Sequence, residues 1–248
     1  MQRDKKDNNE ERKNNNEEKK LSSTKHTLFK KKIHSSEKAN KKGLFKRVPG
    51  YTQYRFFVND FEEFEKGLHD IYNELWNAGG SDKLELRINS NGGMVNEGAQ
   101  FYSIIKNKFN GRTTTILDNK GYSMGALAFC MGDKRIVTER ADLMFHDYSV
   151  GVLGKGGEIQ ARTEHTQVFI RKFFKEIIKD QGFLTKKEYE NMLIGQDFWM
   201  NAEEMCKRGI ATHVLMNGKE IKAKKYLKLL QKGNSNEKSK NDNSKKSK

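Results

Sequence analysis

Strand-like and helical segments alternate along the middle of this 248-residue chain, and this alternation determines its fold class. Short runs rich in β-branched and aromatic residues predict strands at 54–58, 84–88, 113–117, 135–138 and 143–145. Apolar residues at helical spacing predict helices over 60–76, 99–109, 124–131, 158–180 and 184–193, the first capped by Asn59 or Asp60. Parallel crossovers join strands that alternate with helices in this way, so the sequence predicts one α/β domain over residues 48–218.

The formal net charge of +15 is carried by the two ends of the chain. Residues 1–47 hold 16 basic and 7 acidic side chains, and residues 219–248 hold 11 and 3. The segment between them holds 21 basic and 23 acidic side chains, a net charge of −2. Because residues 1–20 and 231–248 are almost free of large apolar side chains, they cannot bury enough surface to offset chain ordering. The sequence therefore predicts a disordered basic tail over 1–47 and a basic, largely disordered tail over 219–248, with nucleic acid or an acidic protein as a secondary partner.

Several function classes are excluded by features that the sequence lacks. No run approaches about 20 apolar residues, so no transmembrane helix is expected. The N-terminal residues have no apolar segment of the kind found in secretory signals. Cys130 and Cys206 are too few for a disulfide framework and lack the spacing of a zinc site. We therefore expect a cytoplasmic protein that uses neither a metal nor a cofactor and does not bind a membrane.

Ser123 lies in the turn between a predicted strand and a predicted helix, within a segment bounded by Gly121 and Gly125. A serine hydroxyl is a weak nucleophile that needs a neighbouring base and hydrogen-bond donors for the oxyanion. A sharp strand-to-helix turn exposes the hydroxyl, and the start of the helix offers unpaired N–H groups. This setting fits a catalytic nucleophile, and it equally fits a serine that caps the helix.

Two other segments could complete a catalytic site. Residues 89–93, Asn-Ser-Asn-Gly-Gly, form a second strand-to-helix turn, in which adjacent glycines let a backbone N–H approach a ligand without a side chain in the way. By itself this segment also fits an ordinary tight turn. His146 ends the apolar run 143–145 and could be a general base or a hydrogen-bonded histidine at a strand end.

In their order along the chain, these segments resemble the Clp protease proteolytic subunit (ClpP) family. Members carry a strand ending in N-S-P-G-G, an S-M-G or S-M-A turn with the nucleophile, and a strand ending in M-I-H. An acidic D-R-F-L-S-A-x-E segment and a G-L-V-D strand follow. The corresponding segments of this chain are 89–93, 123–126, 144–146, 197–204 and 209–214, and the likeness covers about residues 52–216.

The resemblance implies a serine endopeptidase with Ser123 as the nucleophile and His146 as the general base. Asp197 would orient the imidazole, and the N–H groups of Gly93 and Met124 would form the oxyanion hole. The implied fold is the β-α superhelix of stacked ββα units that ClpP shares with crotonases. The helix at 158–180 would be its protruding handle.

The resemblance also implies partners. These are a protein or peptide substrate, further copies of the chain in a ring that stacks on a second ring, and a AAA+ unfoldase that makes proteolysis ATP-dependent. Three departures bear on this reading. Asn91 replaces the family's proline and loosens the turn, Tyr122 replaces a small alanine and adds bulk beside the nucleophile, and the apolar axial segment that precedes the family's domain is not recognisable.

Other readings stay open at the level of sequence. Residues 121–125 also fit the elbow of an α/β-hydrolase esterase, whose triad order would be Ser123, Asp197 and His213. A crotonase-type acyl-CoA enzyme would use the backbone N–H groups without a triad. A non-catalytic structural ring subunit, or a module that binds nucleic acid through its basic tails, would not be an enzyme. Within the ClpP resemblance, the alternative is a phage prohead protease that trims capsid proteins in the host cytoplasm.

Overall fold

The structure is a computed structural model that describes residues 43–48, 50–61 and 68–233. The fold given below is that of the described residues of the unit 45–248, together with residues 43 and 44 at the start of the first strand. The predicted disordered tails lie outside the described residues over 1–42 and 234–248.

The described strands belong to one mixed sheet. They are β1 Gly43–Val48, β2 Tyr51–Phe61, β3 Lys83–Gly93, β4 Thr113–Tyr122, β5 Lys134–Thr138, β6 Asp142–Phe145, β7 Phe198–Asn201, β8 His213–Met216 and β9 Lys219–Lys222. Their order in the sheet is β1-β2-β3-β4-β5-β8-β9, with β6 paired to β4 and β7 paired to β6. Parallel pairs join β2, β3, β4, β5 and β8, and also β4 with β6. The predicted α/β fold is therefore confirmed.

Helices connect the parallel strands, as the alternation predicts. They are α1 Leu68–Trp76, α2 Val95–Lys108, α3 Met124–Cys130, α4 Gly156–Phe174 with a π-helical turn Lys175–Lys179, α5 Lys186–Met192, α6 Ala202–Lys207 and α7 at residues 223–233. One predicted boundary is wrong. Neither Asn59 nor Asp60 caps a helix, because both belong to β2, which continues to Phe61. The Asp60 carboxylate instead accepts a hydrogen bond from the backbone N–H of Asn91 in the neighbouring strand.

The strand β4 pairs with two strands in succession. Its first half lies beside β5, with Ile116 next to Ile136, and its last three residues lie beside β6, with Tyr122 next to Met144. The carboxyl ends of β3, β4 and β6 consequently meet at one edge of the sheet. The core beneath them is apolar and includes Leu86, Phe101 and Phe129, each fully buried. This edge is where the turns picked out in the sequence are found.

The handle helix α4 is anchored at its C-terminal end only. Ile170, Phe173 and Phe174 are buried in the core. Val168, in contrast, is 71% exposed, and Leu153, in the segment leading into the helix, is 94% exposed. The long helix predicted over 158–180 is thus confirmed, and apolar side chains are exposed on it at Val168 and just before it at Leu153.

Ordered structure continues past residue 218, where the sequence predicts the start of a disordered tail. β8 and β9 form an antiparallel hairpin whose turn holds Asn217 at φ 50° and Gly218 at φ 73°. Helix α7 follows and buries Ala223 and Tyr226 against the core. The prediction is wrong over 219–233 because these few apolar residues, spaced one helical turn apart, suffice to dock a lysine-rich segment. None of the described helices is long and apolar enough to cross a bilayer.

Candidate active site

Ser123 occupies a strained turn between β4 and α3. Its backbone has φ 54° and ψ −123°, a conformation that residues other than glycine seldom adopt. Holding a residue in such a conformation costs of order 1–3 kcal/mol of stability. The conformation is fixed by neighbouring hydrogen bonds. The Ser123 N–H donates to the Met144 carbonyl at 3.0 Å, and the Ser123 carbonyl accepts from the N–H groups of Ala126 and Leu127.

The Ser123 hydroxyl does not cap the helix that it precedes. The capping interpretation is therefore wrong, and the hydroxyl of the half-buried Ser123 makes no hydrogen bond to a described residue. A strained strand-turn-helix that presents a free serine oxygen is the arrangement used for a nucleophile.

The glycine turn at the end of β3 lies directly against this serine. A Cβ atom built on Gly92 would come within 2.6 Å of the Ser123 Cβ, so only glycine allows the two turns to touch. The next residue, Gly93, packs closely against β2, because a Cβ atom built on it would lie 2.1 Å from the Phe61 carbonyl oxygen. Both glycines have positive φ, 119° and 124°. Since Met124 is the first residue of α3, its backbone N–H has no acceptor within the helix.

Ser123, His146, Gly93 and Met124 line the same cavity, which has a volume of about 760 Å³. The rest of the lining mixes apolar and polar side chains. Its apolar part comes mainly from the start of α2, from α3 and from the handle, and includes Met94, Val95, Leu127, Phe169, Ile170 and Phe174. The structure thus brings together four of the five predicted site residues in one cleft that is partly apolar.

Asp197, the fifth predicted residue, is not part of the cavity lining. It is exposed and immediately precedes β7. The antiparallel register of β6 and β7 ends with the pair Phe145 and Phe198, and His146 and Asp197 are the residues that adjoin this pair. The two residues are 51 positions apart in the sequence, and the backbone brings the strand ends that they adjoin together.

The three polar side chains are not hydrogen-bonded to each other in this structure of a single chain. Neither a Ser123–His146 nor a His146–Asp197 hydrogen bond is formed. Catalytic hydrogen bonds are often long or misaligned before substrate binds, so this geometry is compatible with a site that closes on its substrate.

Sequence reasoning misses His165. Its polar surroundings in the sequence predict an exposed helical residue, and it is exposed, but it also lines the cavity from the handle helix. Its position depends on how α4 packs over the site, and no local pattern in the sequence reports that packing.

The α/β-hydrolase triad is contradicted by the position of His213. This residue begins β8, which pairs with the far side of β5 and so is separated from the end of β4. Its imidazole contacts the Thr212 hydroxyl at 2.9 Å, and burial lowers its pKa. His213 does not line the cavity that contains Ser123.

The expected effect of Tyr122 is also wrong. Its ring does not line the cavity beside the nucleophile. It packs edge-on against Trp199 with 5.2 Å between ring centroids, and its hydroxyl donates to Asp142 at 3.1 Å. Successive residues of β4 face opposite sides of the sheet. Tyr122 is half-buried and faces the side opposite to that of Gly121, which is buried.

Both cysteines are buried in the core. Burial raises the pKa of the Cys130 thiol to about 12 and that of Cys206 to about 11, so neither forms the thiolate that nucleophilic attack requires. Within the described ranges, no three histidine, cysteine or acidic side chains come together as a metal site would require.

Comparison with known proteins agrees with this architecture. Residues 68–218 match the family model for Clp protease. The ATP-dependent Clp protease proteolytic subunit 2 of Chlamydia trachomatis serovar D is 30% identical over 145 residues, 57% of this chain and 69% of that protein. Subunit 2 of Chlamydia muridarum is 30% identical over 148 residues, 58% and 70% of the two chains. The proteolytic subunit of Cyanophora paradoxa is 29% identical over 150 residues, 58% and 73% of the two chains. A family match that spans more than half of the chain, on this fold, shows that the protein belongs to the Clp protease family.

Proposed function

We propose that this Clp-type protease is a serine endopeptidase with Ser123, His146 and Asp197 as its catalytic triad. The observation that carries the proposal is the placement of Ser123. Its hydroxyl lies in a strained turn, is not used by the helix, and shares a partly apolar cavity with His146. Asp197 is assigned because it and His146 adjoin the last pair of the β6–β7 register.

The proposed reaction proceeds through an acyl-enzyme. Ser123 Oγ attacks the peptide carbonyl carbon while His146 takes the hydroxyl proton, and the resulting oxyanion accepts hydrogen bonds from the N–H groups of Gly93 and Met124. The C–N bond then breaks, and the imidazolium gives its proton to the departing amine. Water, deprotonated by His146, attacks the ester and releases the acid and the serine. Asp197 stabilises the imidazolium in both halves of the reaction.

The apolar part of the lining indicates the class of substrate. A cleft bounded by Leu127, Ile170 and Phe174 gains free energy from burying an apolar side chain next to the cleaved bond. We therefore assign peptides and unfolded protein segments with apolar residues at that position as substrates.

The proposal is tested by comparing wild-type protein with Ser123→Ala on a fluorogenic peptide, together with labelling by a fluorophosphonate probe. We expect Ser123→Ala to lower kcat by about 10⁴-fold or more and to abolish labelling. His146→Ala should lose activity, whereas His213→Ala should retain it. Activity that persists in Ser123→Ala, or that depends on His213 rather than His146, would contradict the assignment.

We also propose that the protein works as a ring-forming oligomer in the cytoplasm, with the handle contributing to the interface between subunits. Three exposed apolar residues on the handle and the segment leading into it, Leu153, Val168 and Phe169, support this, since grouped exposed apolar side chains mark interaction sites whereas isolated ones do not. A AAA+ unfoldase that feeds the ring would make the activity ATP-dependent. Stimulation of casein degradation by such an ATPase with ATP tests that step.

Two other roles make different predictions for the same protein. A prohead protease would cleave scaffold and capsid proteins without ATP, and its gene would lie beside capsid and portal genes. A structural ring subunit would assemble but would leave Ser123 unlabelled by the fluorophosphonate. Labelling with cleavage of a capsid precursor supports the first role, and assembly without labelling supports the second.

The exposed lysines of helix α7 support a second proposal, that the protein binds nucleic acid. Lys224, Lys225, Lys228 and Lys232 are exposed and fall within about 100° of the helix circumference, at 100° per residue. No ion pair joins any of these four lysines to another described residue, while Glu220 in the preceding strand is paired with Lys134. The apolar face of α7 is packed against the core, which leaves Leu229 as the exposed large apolar side chain of the helix. One such residue is little to insert into a lipid bilayer, so a soluble polyanion fits better than a membrane.

A further inference from the structure

The glycine turn that borders Ser123 is tied down by a carboxylate from the neighbouring strand. Oδ1 of Asp60, near the end of β2, accepts a hydrogen bond from the Asn91 backbone N–H at 2.7 Å. The same oxygen lies 3.3 Å from the hydroxyl of Ser90, which is fully buried. The Ser90 oxygen in turn accepts from the Gly92 N–H at 3.0 Å.

These bonds form a short chain from the carboxylate to the glycines. The Ser90 hydroxyl has one proton, and two acceptors lie near it: Asp60 at 3.3 Å and the Gly92 carbonyl at 3.5 Å. The carboxylate is both nearer and charged, so it is the stronger acceptor. With the proton directed to Asp60, a Ser90 lone pair faces the Gly92 N–H. Asp60 thereby fixes two successive peptide units just before Gly93.

Asn91 makes this anchoring possible because proline has no N–H to donate. In the S-P-G-G turn of the family, the ring itself restricts the backbone at this position. Here the Asn91 N–H binds Asp60, and its side-chain oxygen accepts from Lys120 Nζ at 2.6 Å, which joins the turn to β4 as well. The loss of rigidity expected from the sequence is therefore offset by bonds to both neighbouring strands.

We propose that Asp60 is a positioning residue for the oxyanion hole and that the Asp60–Asn91 pair replaces the rigid proline in this chain. The inference rests on the proposed function, in which the Gly93 N–H stabilises the oxyanion. Asp60 does not touch the reacting atoms. It acts by holding the peptide that precedes Gly93, and a donor that is displaced by a fraction of an ångström stabilises the transition state less than one held in place.

The test compares Asp60→Ala, Asp60→Asn and the double variant Asp60→Ala with Asn91→Pro. Each kcat is normalised to the active sites counted by fluorophosphonate burst titration. Asp60→Ala should lower kcat by about 10-fold or more with KM changed less than about threefold, because the hydrogen bond that it removes supports the transition state. Asp60→Asn keeps an acceptor oxygen for the Asn91 N–H and should reduce kcat much less. The double variant should recover most of the kcat, because proline fixes φ near −65° without an anchor.

Asp82 provides the matched control. Its carboxylate accepts from the backbone N–H groups of Thr52 and Gly79 at 2.6 and 2.7 Å, but at the opposite end of β2 and β3. Asp82→Ala should lower the melting temperature and leave the normalised kcat unchanged. The inference is overturned if Asp60→Ala keeps the wild-type kcat, if proline fails to restore it, or if Asp82→Ala reduces kcat equally. An inactive, unlabelled wild-type protein would instead overturn the proposed function.

Discussion

At Ser123 the backbone is strained, and the strain is offset by packing close to it. The helix that follows is entirely buried, from Met124 to Cys130. Moving the turn into a relaxed conformation would drag this helix out of the core, where each large side chain contributes about 1.5–3 kcal/mol. The strained conformation of Ser123 is thus maintained by the packing of α3, the short helix of small and apolar residues that follows it.

Tyr122, the residue before Ser123, should affect stability rather than catalysis. Tyr122→Ala removes the ring packing on Trp199 and the hydrogen bond to Asp142, so we expect the free energy of unfolding to fall by about 1–3 kcal/mol. KM and kcat should change less than about threefold, because the ring does not line the cavity. Chemical denaturation and peptide kinetics on the same preparation measure both effects.

Tyr122→Phe is the control for this experiment. It keeps the ring packing and removes only the hydroxyl, which should cost about 0.5–1.5 kcal/mol. A stable Tyr122→Ala protein with a changed KM would show that the ring touches substrate after all.

Individual site residues could be predicted from the sequence to the extent that a local pattern marks them. Ser123 and the Gly92–Gly93 turn each sit in a recognisable strand-to-helix setting, and the structure places them against each other. Asp197 could be assigned only by resemblance, since the antiparallel strand pair that it and His146 adjoin forms between distant segments of the chain. The local sequence around Asp60 suggests a helix cap, because its role as an acceptor depends on the neighbouring strand.

Among the elements, α5 and α6 flank β7, the strand that follows Asp197, and are clamped together by Arg208. Its guanidinium donates to both carboxylate oxygens of Glu188, at 2.9 and 3.0 Å, and to Glu204 at 2.6 Å. The Arg208 hydrogen bonds lower the pKa of Glu188 to about 2 from its ordinary 4.5. The clamp therefore holds in place the region in which β7 meets β6.

This clamp predicts a pH dependence of stability. Since the pKa of Glu188 is lowered in the folded state, its contribution is complete above pH 4.5 and is lost as the pH falls from 4.5 towards 2. Glu188→Gln should be less stable than wild type by about 1–3 kcal/mol at pH 7, and the difference should shrink over that acidic range. Urea denaturation at a series of pH values measures it. Glu190→Gln, whose partner Lys186 is 3.9 Å away, should change stability by less than about 0.5 kcal/mol and serves as the control.

The handle makes a prediction about assembly. An aspartate at Leu153 or Val168 would place a charge on the exposed apolar surface proposed to pack against another subunit, where desolvating it is costly. We expect Leu153→Asp and Val168→Asp to shift the mass in solution from an oligomer towards the 28.8 kDa monomer, as measured by light scattering. Gln100→Asp, an exposed position on α2, should leave the mass unchanged. A wild-type protein that is already monomeric, or handle variants that assemble normally, would contradict this role.

Helices and strands could be told apart along most of the chain, because the spacing of apolar residues and the position of turn residues indicate local structure. Pairing was harder to predict. Two features depend on packing between distant segments. One is the pairing of β4 with both β5 and β6, and the other is the extension of the fold beyond residue 218 by β9 and α7. In α7 the four lysines dominate the composition, while two buried residues, Ala223 and Tyr226, determine that the segment is ordered.

For the whole molecule, the structure shows where part of the uneven charge lies. The near-neutral segment 48–218 contains the proposed active site, and part of the C-terminal excess is displayed by a folded helix. Lysines at positions 224, 228 and 232 rise about 6 Å per step along α7. Like charges at this spacing repel one another, and an anionic partner would relieve that repulsion.

Binding of single-stranded DNA tests whether this charged helix has a partner. Replacing Lys224, Lys225, Lys228 and Lys232 by glutamine should weaken binding of a 20-nucleotide strand by about 10-fold or more at low salt, and the slope of log K against log salt should become shallower by about 0.7 for each phosphate that is no longer neutralised. The control replaces four exposed lysines on other elements, Lys155, Lys172, Lys186 and Lys187, and so matches the change in net charge. Peptide hydrolysis should be unaffected in the α7 variant, since none of its four substitutions lies in the cavity lining. If both quadruple variants bind equally weakly, the binding follows net charge alone and α7 is not a specific surface. If only the α7 variant binds more weakly, the helix is the surface that holds the strand.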